Sequence, residues 1–173
     1  NHPLVNGLAQ YLFEEAFAKG ASAHAARCGV IRSEAVSKRT HLYLLRLRFS
    51  LNQPEGKSFF AEEVVPFGFR GNPTNLEWLS DKETLQLLNQ VKPQGNLTPS
   101  EKKEFATEGL EFYQELETEI DKLIESHRQH LEESHLRVRS SAGMVRRGMK
   151  VTAHRPADLL GFLVILPLSL GVN

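Results

Sequence analysis

Basic residues concentrated in one acid-free segment are the clearest chemical signal in this sequence. No Asp or Glu occurs from Ser134 to Ala157. Clustered arginine and lysine side chains bind phosphates by neutralising their charge, largely without reading base sequence. The segment therefore predicts a nucleic-acid-binding surface. Its candidate residues are Arg137, Arg139, Arg146, Arg147, Lys150 and Arg155.

Two structural explanations of the same residues compete with that prediction. Cations stabilise the C-terminal end of a helix, and Arg137 and Arg139 fall near the end of a predicted helix. Basic side chains also pair with acids, and the segment Glu101–Glu133 contains eleven acids against four lysines and arginines. No pair of aromatic residues accompanies the basic segment, which weighs against single-strand binding there. The sequence alone does not decide between phosphate binding and these structural roles.

The tripeptide Gly56-Lys57-Ser58 matches only the tail of a phosphate-binding loop. The full motif requires a glycine five positions before Gly56, and Leu51 stands at that position. It also requires a following helix whose N-terminus points at the phosphates. Phe59-Phe60 and Val64-Val65 favour a strand instead, so the tripeptide predicts a turn and no nucleotide cofactor.

Metal and nucleophile chemistry are equally weak in the sequence. Glu132 and His135 have a di-iron spacing, but such sites need carboxylates from several facing helices, and the sequence has no second copy. His127 and His130 fit a polar helix face. Cys28 fits a buried strand position, and no serine lies in a Gly-x-Ser-x-Gly elbow. The sequence therefore predicts no catalytic residue, no cofactor and no metal in this chain.

Composition describes an ordinary folded domain with no global charge. The chain has 173 residues, 40% hydrophobic and 24% charged, with a formal net charge of zero. We expect a single domain, 1–173, in which any attraction to nucleic acid is local. The single cysteine fits a reducing compartment, and the opening Asn-His-Pro, without an initiator methionine, predicts a processed chain or a piece of a longer protein.

The apolar run Leu159–Leu170 is about half the length of a membrane-spanning helix and contains Pro167. It therefore predicts a buried strand rather than a membrane segment. No membrane partner is expected, and the predicted location is cytoplasmic.

A long charged helix, 98–142, is the main predicted element. Thr98 is a typical N-cap, Pro99 suits the first helical position, and Glu101 completes a capping box. Apolar residues then recur every three or four positions, and Gly143 is a natural stop. A continuous helix would be roughly 65 Å long. The alternative is a break near Ser126–Ser134 that gives an antiparallel helix pair.

The remaining elements predict an α+β fold. An N-terminal helix runs from Pro3 to Gly20, and Ser80 with Glu83 forms the capping box of a short helix. A small antiparallel sheet of about five strands packs with the N-terminal helix and the long charged helix, and its first three strands form a meander. The predicted strands are Arg27–Val36, Thr40–Leu51, Ser58–Phe69, Lys150–His154 and Asp158–Leu168.

The second predicted strand is the clearest one. Its odd-numbered residues from Tyr43 to Leu51 are apolar and line one face. The other face begins with Leu42 and Leu44 and continues with Arg46 and Arg48.

Four landmarks in a fixed order resemble a known family. They are His2-Pro3-Leu4-Val5, the strand segment Leu45–Arg48, the long charged helix and the closing segment Asp158–Pro167. This order resembles the C-terminal accessory domain of bacterial Swi/Snf-type (RapA-like) ATP-dependent helicases, and the resemblance spans nearly the whole chain.

The resemblance implies an accessory role and no catalysis by this chain, which is therefore not expected to be an enzyme itself. In that family the ATPase residues, with ATP and magnesium, belong to two upstream helicase lobes, and none of their motifs is present here. The implied partners are those lobes, in the same polypeptide, and DNA, RNA or RNA polymerase. The alternative is a protein-interaction scaffold without nucleic-acid contact.

Overall fold

A computed structural model describes residues 27–53, 56, 58–141 and 150–168, with the backbone alone for 135–141. The described part has a mixed α/β composition, which confirms the α+β class. The predicted helix Pro3–Gly20 and the predicted stop at Gly143 lie outside the described residues. The elements in chain order are β1 (Arg27–Arg32), β2 (Thr40–Asn52), β3 (Ser58–Asn72), β4 (Asn75–Trp78), α1 (Asp81–Gln90), α2 (Pro99–Glu115), α3 (Glu117–Ser141), β5 (Lys150–Ala153) and β6 (Asp158–Leu166).

The strands form a six-stranded sheet in the order β1-β6-β2-β3-β4, and β5 pairs with β2. β1 and β6 are parallel, with Arg27 opposite Gly161 and Arg32 opposite Leu166. The predicted antiparallel sheet and its three-stranded meander are therefore wrong, because β6 lies between β1 and β2. The physical reason is burial: β6 is buried from Gly161 to Leu166, and a strand apolar on both faces belongs inside a sheet.

All five predicted strands are present, and β4 is the strand that the sequence analysis missed. It has only four residues and forms an antiparallel hairpin with β3, in which Asn72 lies opposite Asn75. Gly71 has φ +91°, and the side-chain oxygen of Asn72 accepts hydrogen bonds from the backbone N–H groups of Thr74 and Asn75. The segment Gly71-Asn72-Pro73 is thus part of a tight turn.

The predicted helix 98–142 begins as expected but is not continuous. Thr98 accepts a hydrogen bond from the Glu101 N–H, and the Glu101 carboxylate accepts one from the Thr98 N–H. The helix breaks at buried Leu116, which has φ −96° and ψ 13°. A continuous helix is therefore not observed, and the predicted break at Ser126–Ser134 is wrong because that segment is helical throughout. No glycine or proline marks this position, so no local signal in the sequence predicts the break.

The chain contains two compact units, and the second consists of Arg46–Val64 and Glu117–Asp158. The first contains the described residues up to Leu45 together with the rest of β3, β4, α1, α2 and β6. In this first unit β2 is buried on both faces. Leu42 and Leu44 pack in a cluster with Leu87 of α1, whereas the hydroxyl of Tyr43 contacts the backbone of Gly109 in α2.

Candidate nucleic-acid interface

The burial pattern of β2 changes at Arg46, where the second unit begins. Leu47, Phe49 and Leu51 are buried, whereas the alternate residues from Arg46 to Asn52 are partly or fully exposed. β5 packs against α3, and Val151 of β5 is buried. Because neighbouring side chains of a strand point to opposite faces, the sheet of this unit has one packed face and one open face.

Register and side-chain contacts define which residues share the open face. Ser50 lies opposite Thr152 and Asn52 lies opposite Lys150, and the His154 N–H donates to the Arg48 carbonyl at 2.8 Å. Ser50 also contacts the His154 ring through its hydroxyl. We use the name open face for Arg46, Arg48, Ser50, Asn52, Phe60, Glu62, Val64, Lys150, Thr152, His154 and the adjoining Asp158.

Two guanidinium groups on the open face share one carboxylate. Nε and Nη2 of Arg46 donate to the Asp158 Oδ2 at 3.2 and 3.1 Å, and Nη2 of Arg48 donates to the same oxygen. The Arg48 hydrogen bond, followed by the Arg46 contacts, lowers the pKa of Asp158. Reciprocally, Asp158 raises the pKa of Arg48. The carboxylate therefore holds both cations beside each other while part of each side chain stays in contact with solvent.

An aromatic ring lies exposed among these polar groups. Phe60 is 76% exposed, and its ring centroid lies 6.2 Å from that of His154, with the two planes inclined by 56°. Val64 of the same strand face is also exposed. Including Glu62, the open face combines three basic side chains, two carboxylates and one solvent-facing aromatic ring.

The six predicted phosphate-binding residues have different positions. Lys150 begins β5 and is exposed on the open face, together with Arg46 and Arg48. Arg155 is not part of the open face as defined here, and its guanidinium donates to Asp121 of α3 at 2.7 Å. Arg137 and Arg139 lie in the described backbone of α3, whereas Arg146 and Arg147 lie outside the described residues.

Four residues of the open face were not predicted as site residues from the sequence: Arg46, Arg48, Phe60 and His154. The alternation of β2 contained a usable signal, because two arginines continue a face that begins with Leu42 and Leu44. A face that changes from apolar to basic along one strand indicates that the strand leaves the core. The approach of Phe60 to His154 has no local signal, because it depends on strand pairing between distant parts of the chain.

The other candidate motifs have ordinary surroundings. Gly56 has φ +82°, donates to the Gln53 carbonyl and is followed by β3 rather than a helix, as the predicted turn requires. Nδ1 of His127 lies 2.7 Å from a carboxylate oxygen of Glu63. Within the described ranges, no three His, Cys, Asp or Glu side chains are grouped so that they would hold a metal ion. No helix in the described part of the chain is both long and apolar enough to cross a membrane.

Comparison with known proteins assigns the chain to a family whose function is unknown. A family model described as a domain of unknown function (DUF8741) matches residues 15–170. The match covers most of the chain, which therefore belongs to this family. No curated protein and no solved structure matches it.

Proposed function

We propose that this chain is a non-catalytic accessory module of a Swi/Snf-type ATP-dependent helicase and that it contacts nucleic acid through the open face. The helicase context rests on the order of sequence landmarks, from the His2-Pro3 opening to the closing segment Asp158–Pro167. The contact surface rests on the open face itself. In this proposal ATP and magnesium are bound by the upstream helicase lobes, and this domain supplies a backbone-binding surface to the motor.

One observation carries the proposal: Arg46 and Arg48 project from one strand and are held together by Asp158. Two adjacent guanidinium groups match the spacing and charge of phosphate oxygens better than scattered lysines do. Lys150 extends the basic surface along the neighbouring strand. In the sequence Arg146 and Arg147 precede Lys150 closely, so the acid-free segment leads directly into this face.

The test is a fluorescence-anisotropy titration of the full chain with a short labelled duplex and a short labelled single strand. We expect binding to at least one of them, with an affinity that falls steeply between about 50 and 200 mM salt. The double variant Arg46→Glu/Arg48→Glu should weaken binding by about tenfold or more and flatten the salt dependence, because it removes two phosphate contacts.

A matched control reverses the charge of two exposed lysines outside the open face, Lys82 in α1 and Lys92 just after it. The variant Lys82→Glu/Lys92→Glu changes the net charge by the same amount and should bind nearly as the wild-type chain does. Equal losses in both variants would mean that only total charge matters and would overturn the choice of surface. Absence of binding to either nucleic acid would favour the protein-interaction scaffold.

The helicase context has an independent test. We expect helicase motifs in the coding sequence upstream of this domain, and no ATP turnover by the chain alone. ATP hydrolysis by the purified chain that survives further purification would contradict the non-catalytic role. Coding sequence without such motifs would remove the helicase context but would leave the open face to be judged by its own binding data.

A further inference from the structure

Phe60 is the feature of the open face that phosphate binding does not explain. A phenylalanine ring buries a large apolar area when it has a partner, yet this ring is 76% exposed on a strand. Contacts with phosphates need charge and hydrogen-bond donors, which the ring lacks. An exposed aromatic ring on a sheet, among basic residues, is the arrangement by which several folds stack unpaired bases.

The neighbours of Phe60 suit a nucleotide better than an apolar partner. The His154 imidazole is inclined at 56° to the Phe60 ring and supplies a second planar group at its edge. Ser50, whose hydroxyl contacts that imidazole, is two residues along β2 from the exposed Arg48. Glu62 lies close enough to Arg48 to raise its pKa, so polar and charged groups surround the ring. A protein partner with an apolar surface would leave these groups desolvated without partners.

We propose that the open face accepts an unpaired nucleotide, in single-stranded DNA or RNA, whose base stacks on Phe60 while Arg46 and Arg48 bind the flanking phosphates. This inference rests on the proposed function and specifies the substrate class of the same site. His154 contacts the stacked base at its edge. A duplex gains nothing from Phe60, because its base faces are already occupied by neighbouring base pairs.

The experiment compares wild-type and variant chains by anisotropy, using a labelled oligo(dT), a labelled oligo(rU) and a labelled duplex of the same length. Phe60→Ala should weaken binding of the single strands by roughly 5- to 150-fold, the effect of losing one stacked base. Duplex binding should change little. Phe60→Trp should preserve single-strand binding, because an indole ring stacks at least as well as a phenyl ring. The ratio of the wild-type affinities for oligo(dT) and oligo(rU) identifies the preferred strand.

The adjacent Phe59 provides a matched control. It is also exposed, at 54%, but strand alternation directs its side chain away from the open face. Phe59→Ala removes the same atoms and should leave single-strand affinity unchanged. Thermal unfolding of both variants should resemble that of the wild-type chain, because neither ring is buried.

The possible outcomes separate this inference from the proposed function. If Phe60→Ala and Phe59→Ala behave alike, or if Phe60→Ala weakens single-strand and duplex binding equally, base stacking is wrong. In that case sensitivity to Arg46→Glu/Arg48→Glu still supports phosphate binding at the open face. If the wild-type chain binds no oligonucleotide, the proposed function fails and the stacking site fails with it.

Discussion

The hydroxyl of Tyr43 donates a hydrogen bond to the backbone carbonyl of Gly109 at 2.7 Å. The bond joins the fully buried part of β2 to α2, and it requires close contact between the helix and the sheet. Gly109 permits that contact, since a Cβ atom there would lie 2.7 Å from the ring of Phe162 and 3.1 Å from a methyl group of Val164. The glycine therefore has a packing role that helix propensity alone would not reveal.

We predict that Gly109→Ala destabilises the protein although alanine is the better helix former. The propensity gain is about 1 kcal/mol, and overpacking of a well-packed site costs about 1–3 kcal/mol. Urea unfolding should therefore give a net loss of stability. The control is Thr107→Ala, at an exposed position of the same helix, which should be neutral or stabilising. A Gly109→Ala chain as stable as the wild type would show that the helix shifts without cost.

His41 predicts a dependence of stability on pH. Its side chain is 1% exposed, neither ring nitrogen has a hydrogen-bond partner among the residues that the structure describes, and it stacks on Phe69 with ring centroids 4.9 Å apart. Burial, and secondarily Arg39, lowers the pKa of His41 from 6.5 to about 4. The unfolded chain therefore takes up a proton at pH values where the folded chain keeps this ring neutral. Stability should be full above about pH 6.5 and should fall as the pH decreases towards 4.

The size of this loss in unfolding free energy follows from the lowered pKa of His41. The loss across this range should be about 3 kcal/mol, measured as the difference in unfolding free energy between neutral and acidic pH. His41→Phe removes the titrating group and two unpaired polar atoms, so it should flatten the pH dependence and leave neutral stability equal or higher. His130→Gln, at an exposed position of α3, should behave as the wild type does. The same pH dependence in His41→Phe would assign the effect to other groups.

Both capping boxes should contribute measurably to stability. Ser80 accepts from the Glu83 N–H and Thr98 accepts from the Glu101 N–H, each at 3.2 Å. Ser80→Ala and Thr98→Ala should each lower the unfolding free energy by about 1 kcal/mol, because each leaves a helical N–H without its partner. Ser100→Ala, inside the first turn of α2, is the control with little expected effect. If all three variants are equally stable, solvent replaces the caps fully.

These caps also show what the sequence predicts well. A capping box is a local pattern, and both helix starts follow from residues within four positions of each other. The signals for strands β2 and β6 are equally local. The alternation of apolar residues predicts β2, and the continuous apolar run predicts β6. The basic half of β2, with Arg46 and Arg48, was visible for the same reason.

Non-local pairing explains what the sequence did not predict. The parallel pairing of β1 with β6 joins Arg27–Arg32 to Gly161–Leu166, and nothing within either segment specifies the other. The break falls at Leu116, a buried residue that is not a helix breaker, so nothing in the local sequence indicates it. The juxtaposition of Phe60 and His154 likewise depends on which strands flank β2, so the aromatic part of the candidate site had no sequence signal.

On the open face, Asp158 should compete with a bound phosphate for the guanidinium groups of Arg46 and Arg48. Its carboxylate accepts hydrogen bonds from both Arg46 and Arg48, so a bound phosphate must share or displace those donors. Asp158→Asn removes one negative charge and keeps the side-chain size. A unit charge near a phosphate in water changes the binding free energy by about 1 kcal/mol, so affinity should rise roughly fivefold at low salt. The gain should disappear at high salt because the interaction is screened.

The measurement is an anisotropy titration of Asp158→Asn at low and high salt, with Glu104→Gln as the control. Glu104 is exposed in α2, so its neutralisation changes the net charge equally but leaves the open face untouched. Only the Asp158 variant should bind more tightly. Weaker binding by Asp158→Asn, in a chain that unfolds like the wild type, would show that holding Arg46 and Arg48 in place matters more for affinity than competition with phosphate does.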